Sequence, residues 1–185
     1  MRKIFAFLMA SLDGYHEGAK DELDWHNVDD EFHDFAVAQL DEADALLFGR
    51  KTYRMMAEFW PSRVGLTGDP EVAALMNSLP KVVVSRTLAA ADWGPATVIN
   101  VDVPGEIRRL KERPGKNIAL LGSSTLAASL LGTGLIDELR IMVNPVILGQ
   151  GRSLFAGAGR TSLKLLKTRQ FTSGNVLLYY QPITN

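Results

Sequence analysis

The sequence predicts an α/β fold: a mostly parallel sheet with helices on both faces, ending in antiparallel strands. Short, nearly continuous apolar runs alternate with segments of helical period over about the first 130 residues. The final third consists of strand-like runs joined by loops. Twice a buried run ends in glycine and passes straight into a helix, at Gly49 and at Gly122.

The first strand is expected over residues 3–10, apolar nearly throughout, as a strand covered on both faces would be. It stops at Asp13-Gly14. Over residues 29–42, Phe32, Phe35, Ala36, Leu40 and Ala43 recur at helical spacing, and Asp30, Glu31, Asp34, Gln39 and Asp41 are assigned to the polar side. Residues 45–48 form a short buried strand, and Gly49-Arg50-Lys51-Thr52 opens a helix that stops before Pro61. Asp69-Pro70-Glu71 is a helix cap with proline in the first turn, followed by Val72, Leu75 and Met76 on one face until Pro80.

Strands are expected at 82–84 and 97–99, and a helix with a Val103, Ile107, Leu110 stripe ends at Pro114-Gly115. Residues 118–121 form a strand, Gly122-Ser123-Ser124 turns, and Leu126, Leu130 and Leu131 face inward from a helix closing at Gly132 or Gly134. The strands at 138–143, 163–171 and 176–181 complete the order, the last two joined by a Ser173-Gly174-Asn175 hairpin turn. No repeat, low-complexity tract or linker divides the chain, so residues 1–185 are expected to form a single domain.

Composition narrows the function classes. With 22% charged and 46% apolar residues the chain is an ordinary globular one, and its formal net charge of -1 offers no general attraction to nucleic acid or anionic lipid. Any anion site has to be local. The absence of cysteine removes disulfides, thiolate metal sites and cysteine nucleophiles. The apolar run at 4–10 leads into a turn rather than a cleavage site, and no stretch approaches the roughly 20 apolar residues of a membrane span. A cytoplasmic protein acting on a small molecule is the expectation, with neither nucleic acid nor membrane as partner. The segments 139–148 and 176–180 could pair across a two-fold axis in a homodimer, although sheet closure within one chain would use the same residues.

A helix N-terminus led by glycine presents unpaired N–H groups and a positive dipole end to a phosphate, so two of them suit a dinucleotide. Each glycine alone also fits a plain tight turn. Arg50 beside the first glycine and Ser85-Arg86-Thr87 after a buried strand could surround a terminal phosphate, or lie as solvated loop residues. His16, His26 and His33 lack the close pair spacing of a zinc site, so no metal is expected. No amphipathic helix follows Gly149-Gln150-Gly151 or Gly157-Ala158-Gly159, which removes a Rossmann fingerprint, and neither a Gly-x-Ser-x-Gly elbow nor a Walker sequence occurs.

Five segments in order resemble the dihydrofolate reductase superfamily, and within it the branch of the riboflavin-biosynthesis reductase domain. They are Ser11-Leu12-Asp13-Gly14, residues 43–53 around Gly49-Arg50-Lys51-Thr52, residues 84–88 around Ser85-Arg86-Thr87, residues 121–126 around Gly122-Ser123-Ser124-Thr125, and residues 134–151. The resemblance implies a dihydrofolate-reductase-like three-layer sandwich. It implies NADPH as cofactor, with Gly49, Arg50, Lys51 and Thr52 at its phosphates, Ser85 and Arg86 near the adenosine 2′-phosphate, and Gly122, Ser123, Ser124 and Thr125 cradling the pyrophosphate. A double glycine is common at the last position in the family; this chain has Gly122-Ser123.

Hydride delivery to a C=N bond or an opened sugar carbonyl leaves negative charge on nitrogen or oxygen, so a proton donor near the substrate assists. In the family an acid opening the helix after a Trp-containing loop has that role. Here Trp25 precedes Asp29 and Asp30, and Asp30 fits the spacing better. An aspartate starting near pKa 3.9 would need strong desolvation for it. Helix capping is the competing account of both residues. Asp13 could bond substrate or cofactor, or simply form the turn with Gly14. Trp25, with Asp29 beside the substrate, could stack on a flat ring, as could Phe59 and Trp60, or these aromatics could pack internally. The function expected is an NADPH-dependent reductase of a pyrimidine- or pterin-like metabolite, specifically the 5-amino-6-(5-phosphoribosylamino)uracil reductase step. Dihydrofolate reduction and nucleotide binding without turnover are the alternatives.

Overall fold

A computed structural model describes residues 1–183. In chain order the elements are β1 (Ile4–Ser11), β2 (Tyr15–Glu17), α1 (Asp30–Asp41), β3 (Ala43–Gly49), α2 (Arg50–Phe59), α3 (Arg63–Gly68), α4 (Pro70–Ser78), β4 (Lys81–Val84) and β5 (Ala96–Ile99). There follow α5 (Val103–Glu112), β6 (Asn117–Leu121), α6 (Ser124–Leu131), β7 (Glu138–Asn144), β8 (Arg152–Ser153), β9 (Ser162–Gln170) and β10 (Val176–Ile183).

Eight strands form one sheet in the order β5-β4-β3-β6-β1-β7-β10-β9. Pairing is parallel from β5 through β7, and β10 runs antiparallel to both neighbours. The alternation of β1 explains the layers. Ile4, Ala6, Leu8 and Ala10 pack with Ile107 of α5 and Leu126 and Leu130 of α6. Phe5, Phe7 and Met9 point the other way, towards Phe35 and Leu40 of α1 and Val72 and Met76 of α4. Each fully buried side chain of this size contributes about 1.5–3 kcal/mol, so a one-residue slip of β1 would exchange both cores and is strongly disfavoured. The three-layer α/β sandwich with an antiparallel C-terminal end is as expected.

Three elements were not foreseen. Strands β2 and β8 form a separate two-stranded ribbon, pairing Tyr15 with Ser153 and Glu17 with Arg152; so few residues paired over such a sequence distance leave no local period. Helix α3 contains two glycines and is started by Ser62, whose Oγ accepts from Gly65 N at 3.2 Å. Gln39 also departs from the expectation: it is buried on the inner side of α1, one turn beyond Ala36. Strands β7 and β10, the segments offered for pairing between copies, pair with each other inside the chain, and the edges of the sheet are β5 and β9.

Helices α1 and α4 are joined by an ionic clasp. Asp69 caps α4, its Oδ1 accepting from Val72 N at 3.1 Å, while its Oδ2 lies 2.9 Å from Nδ1 of His33 on α1. Glu71 Oε2 is 3.7 Å from the other ring nitrogen. Hydrogen bonding to Asp69, against a small desolvation, raises the His33 pKa above its ordinary 6.5. The stability this adds is present in full below pH 6.5 and is lost as pH rises through the higher folded-state value. Melting temperatures of the native chain and His33→Gln, followed from acidic to alkaline pH, should differ at the acid end and converge at the alkaline end; a gap independent of pH would refute the linkage.

Candidate functional site

Strands β3 and β6 are neighbours, yet β3 is followed by a helix whose Tyr53 joins one core and β6 by a helix whose Leu126 joins the other. A crevice opens where adjacent parallel strands send their connections to opposite faces. Both glycine-led helix starts meet there. Gly49 N donates to Ser123 Oγ at 2.9 Å. Gly122 has φ +62°, and a Cβ on it would lie 3.4 Å from Thr52 Cγ2, against the first turn of α2.

The capping pattern singles out the same place. Helices α1, α3, α4 and α5 each have an N-cap side chain, Asp29, Ser62, Asp69 and Asp102, that accepts a first-turn N–H. Helices α2 and α6, which start after Gly49 and Ser123, have no side-chain cap. Ser123 turns inward to β3 and to Leu121 O instead, and Ser124 N is held by Gly122 O at 3.1 Å. The remaining first-turn amides and two aligned helix dipoles give the crevice an anion-attracting character without any formal charge. Thr125 is exposed in the first turn of α6.

Cationic side chains lie to one side. Arg50 Nη1 donates to Thr87 Oγ1 at 2.8 Å, bringing the start of α2 to the loop after β4. Ser85 Oγ shapes that loop by accepting from Thr87 N at 3.2 Å and Leu88 N at 2.9 Å. Ser85 and Arg86 border a second cavity of about 440 Å³, walled by the end of β5 and by Leu126, Ser129 and Leu130 of α6. Lys51 is engaged elsewhere: its Nζ is 2.8 Å from both Glu17 Oε2 and Asp21 Oδ1. Arg152 pairs with the other oxygen of Glu17, so the β2–β8 ribbon is tied to α2 through one buried carboxylate.

On the other side of Gly122 a cleft of about 570 Å³ runs along the inner side of α1, floored by Phe7, Met9 and Leu121. Met56, Phe59 and Trp60 of the α2 end face Val72 and Met76 of α4 across it. All three histidines of the sequence line this cleft. His16 is buried at its base, with Nδ1 3.0 Å from Met9 O and Nε2 2.6 Å from Gly122 O, bridging the ends of β1 and β6. Burial, reinforced by His16, lowers the His26 pKa to about 4, so His26 is uncharged at neutral pH.

The expected acids separate in the structure. Asp29 is the N-cap of α1, accepting from Phe32 N at 2.8 Å. Asp30, one position on, is exposed and lines the cleft beside Asp29. Asp13 is not among the residues lining the cleft. Its Oδ1 accepts from Ser11 Oγ at 2.7 Å and Leu148 N at 3.1 Å, and its Oδ2 from Gly149 N at 2.8 Å. These bonds, that from Ser11 foremost, hold its pKa below the ordinary carboxylate value. Trp25 stands outside the lining, edge-on to His26, with its indole donating to Glu22 O at 3.0 Å. Phe59 and Trp60 do line the cleft. Gln39, His16 and His26 were not foreseen as cleft residues; the position of Gln39, seven after Phe32 and three after Ala36, was the available signal.

Comparison with known proteins bears on family and fold. The family model for the RibD C-terminal domain matches residues 2–177. The uncharacterized protein YyaP of Bacillus subtilis (strain 168) is 36% identical over 182 residues, 97% of this chain and 94% of its own. The 2,5-diamino-6-ribosylamino-4(3H)-pyrimidinone 5′-phosphate reductase of Methanothermobacter thermautotrophicus is 30% identical over 115 residues, 59% of this chain and 53% of its own. Dihydrofolate reductase from Enterococcus faecalis, solved in complex with NADP(H), superimposes with a TM-score of 0.61 at 13% identity, covering 97% of this chain and 96% of that one; the likeness is one of fold. With almost its whole length matched, the chain belongs to the RibD C-terminal domain family of riboflavin-pathway reductases and has a dihydrofolate-reductase-like fold.

Proposed function

We propose that the chain is a reductase that binds NADPH across the β3–β6 crevice and reduces a small pyrimidine- or pterin-like metabolite in the adjoining cleft. The observation that carries this reading is the meeting of two helix N-termini without side-chain caps, joined by the Gly49 N to Ser123 Oγ bond. Gly122 lines the cleft on one side, and the Arg50–Thr87 contact leads to the Ser85–Arg86 cavity on the other. A diphosphate at the crevice would have room for a ring at each end. The reductase named in Methanothermobacter and the NADP(H) complex of dihydrofolate reductase support the assignment of reaction and coenzyme.

When bound, a reduced nicotinamide dinucleotide supplies a hydride. The remaining work falls to residues of this chain. First-turn amides of α2 and α6 hold the diphosphate, and Gly122 keeps the backbone free of a side chain there. Arg50 and Arg86, with Ser85 and Thr87, recognise a 2′-phosphate on the adenosine ribose, which favours NADPH over NADH. Lys51 orders the ribbon through Glu17, and phosphate contact is left to the backbone and to Arg50. Phe7, Met9, Phe59 and Trp60 exclude water from the reducible bond. To Asp30, which lines the cleft, we assign the passing of a proton to the nitrogen or oxygen that gains charge. Since the packing of the protein leaves Asp30 exposed, its desolvation has to come from the ring seated against it. The phosphoribosylaminouracil is the reference substrate of this class.

Titration with NADPH, followed by the fluorescence of Trp25, Trp60 and Trp93, should give saturable quenching; absence of affinity for NADPH and NADH alike would end the assignment. Saturable binding without NADPH oxidation against any pterin or aminouracil would instead identify a nucleotide-binding protein without turnover. Gly122→Ala should weaken NADPH binding at least about tenfold and destabilise the fold by about 1–2 kcal/mol, because alanine is strained at φ +62°. Arg86→Ala should raise the Kd for NADPH about 10- to 100-fold, the loss of one charge-assisted bond, and leave that for NADH unchanged.

A further inference from the structure

We infer that the cleft along α1 takes an unphosphorylated flat ring, and that Gln39 reads the polar edge of that ring. The inference rests on the reductase reading and narrows its substrate.

The charges around the cleft are the first argument. Among the described residues that line it there is no lysine or arginine, while Asp29, Asp30 and Asp69 contribute three carboxylates. His33, raised in pKa, faces Asp69 and Glu71, so their charges offset one another and Asp29 and Asp30 remain as the acids of the cleft. The rim is apolar: Met55, Phe59 and Val64 are 40%, 43% and 68% exposed and line the opening. A phosphate on the substrate would be desolvated beside carboxylates and methyl groups without a counter-ion, an arrangement that excludes a ligand rather than admits it.

The uncharged polar groups are the second argument. Gln39 is 4% exposed, lines the cleft, and has its Oε1 buried with no hydrogen-bond partner among the described residues. His26 lines the same cleft, is neutral, and has a buried Nε2 that is likewise without a partner. Buried polar atoms are almost always paired in folded proteins, and unpaired ones on two residues that line one cavity are available to a ligand there. A carboxamide pairs with the N–H and C=O of a heterocyclic lactam at two points, and the apolar floor and the Phe59 and Trp60 rings accept the faces of such a ring. Reduction of a C=N bond, within the ring of a dihydropterin or in the imine formed where the sugar attached to an aminouracil opens, forms one C–H bond from hydride and one N–H bond from a proton, breaks the π bond, and leaves the nicotinamide coenzyme oxidised.

The test uses the NADPH-saturated full chain with three probes: 5-amino-6-ribosylaminouracil, its 5′-phosphate, and 7,8-dihydropterin. The unphosphorylated compounds should bind and be turned over with kcat/KM at least about tenfold above that of the phosphate. Preference for the phosphate, or failure of both unphosphorylated probes to bind, overturns the inference; the reductase reading falls separately, if NADPH does not bind or if no probe, phosphorylated or not, supports its oxidation. Gln39→Leu should raise KM about tenfold with kcat little changed, and should raise the melting temperature of the free chain, since an unsatisfied amide is replaced by a hydrocarbon. Gln39→Met, of similar length, repeats the measurement if leucine packs badly. A fall in melting temperature with KM unmoved in both variants would show that Gln39 serves packing alone.

Discussion

The molecule depends on the adjacency of β3 and β6. Because their connections leave on opposite faces, their C-terminal ends cannot be closed over by either helix layer, and the gap between α2 and α6 is built in by topology. One hydrogen bond, Gly49 N to Ser123 Oγ, sets how close the two helix starts come. The serine that replaces the second glycine common in the family is therefore a structural spacer. Its hydroxyl is spent on the opposite strand, which leaves main-chain groups at the gap.

Around that gap the chain sorts its charges by place. Arg50 and Arg86 lie on the β4 side, carboxylates lie along the α1 cleft, and Lys51 is drawn away by Glu17 and Asp21. A chain close to neutral overall thus presents opposite electrostatic surroundings on the two sides of one crevice. Net charge carried no hint of this, since the two surroundings cancel in the sum.

Much of the architecture was legible in the sequence because it is encoded locally. The double-sided apolar character of β1, the two strand-glycine-helix joints and the Asp69-Pro70 cap each occupy a few adjacent residues. The unforeseen parts are relations between distant residues. Ribbon β2–β8 requires Glu17 to find Arg152, and the engagement of Asp13 by Leu148 and Gly149 cannot be seen from the Asp13-Gly14 pair. Of the expected site residues, Gly49, Gly122, Arg50 and Thr87 converge, whereas Trp25 and Asp13 stand apart from the cleft. Gln39 was assigned outward by chemistry alone, although its spacing from Phe32 and Ala36 put it inward. Polar residues on a buried stripe are where residue type and geometry disagree, and there the geometry was the better guide.

Strand β9 ends the sheet with both of its faces in solvent, and Leu163, Leu165 and Leu166 are among its exposed side chains. Backbone groups along such a border would accept a further strand from any unfolded or neighbouring chain. Lys164, Lys167 and Arg169 interrupt the run, and a register shift opposite Tyr179 and Tyr180 bends it. Protection of this border is thus electrostatic and geometric. Chemical neutralisation of Lys164 and Lys167 would turn this margin into a seed for aggregation, whereas Arg169, paired with Glu31 at 3.1 Å, also ties the border to α1.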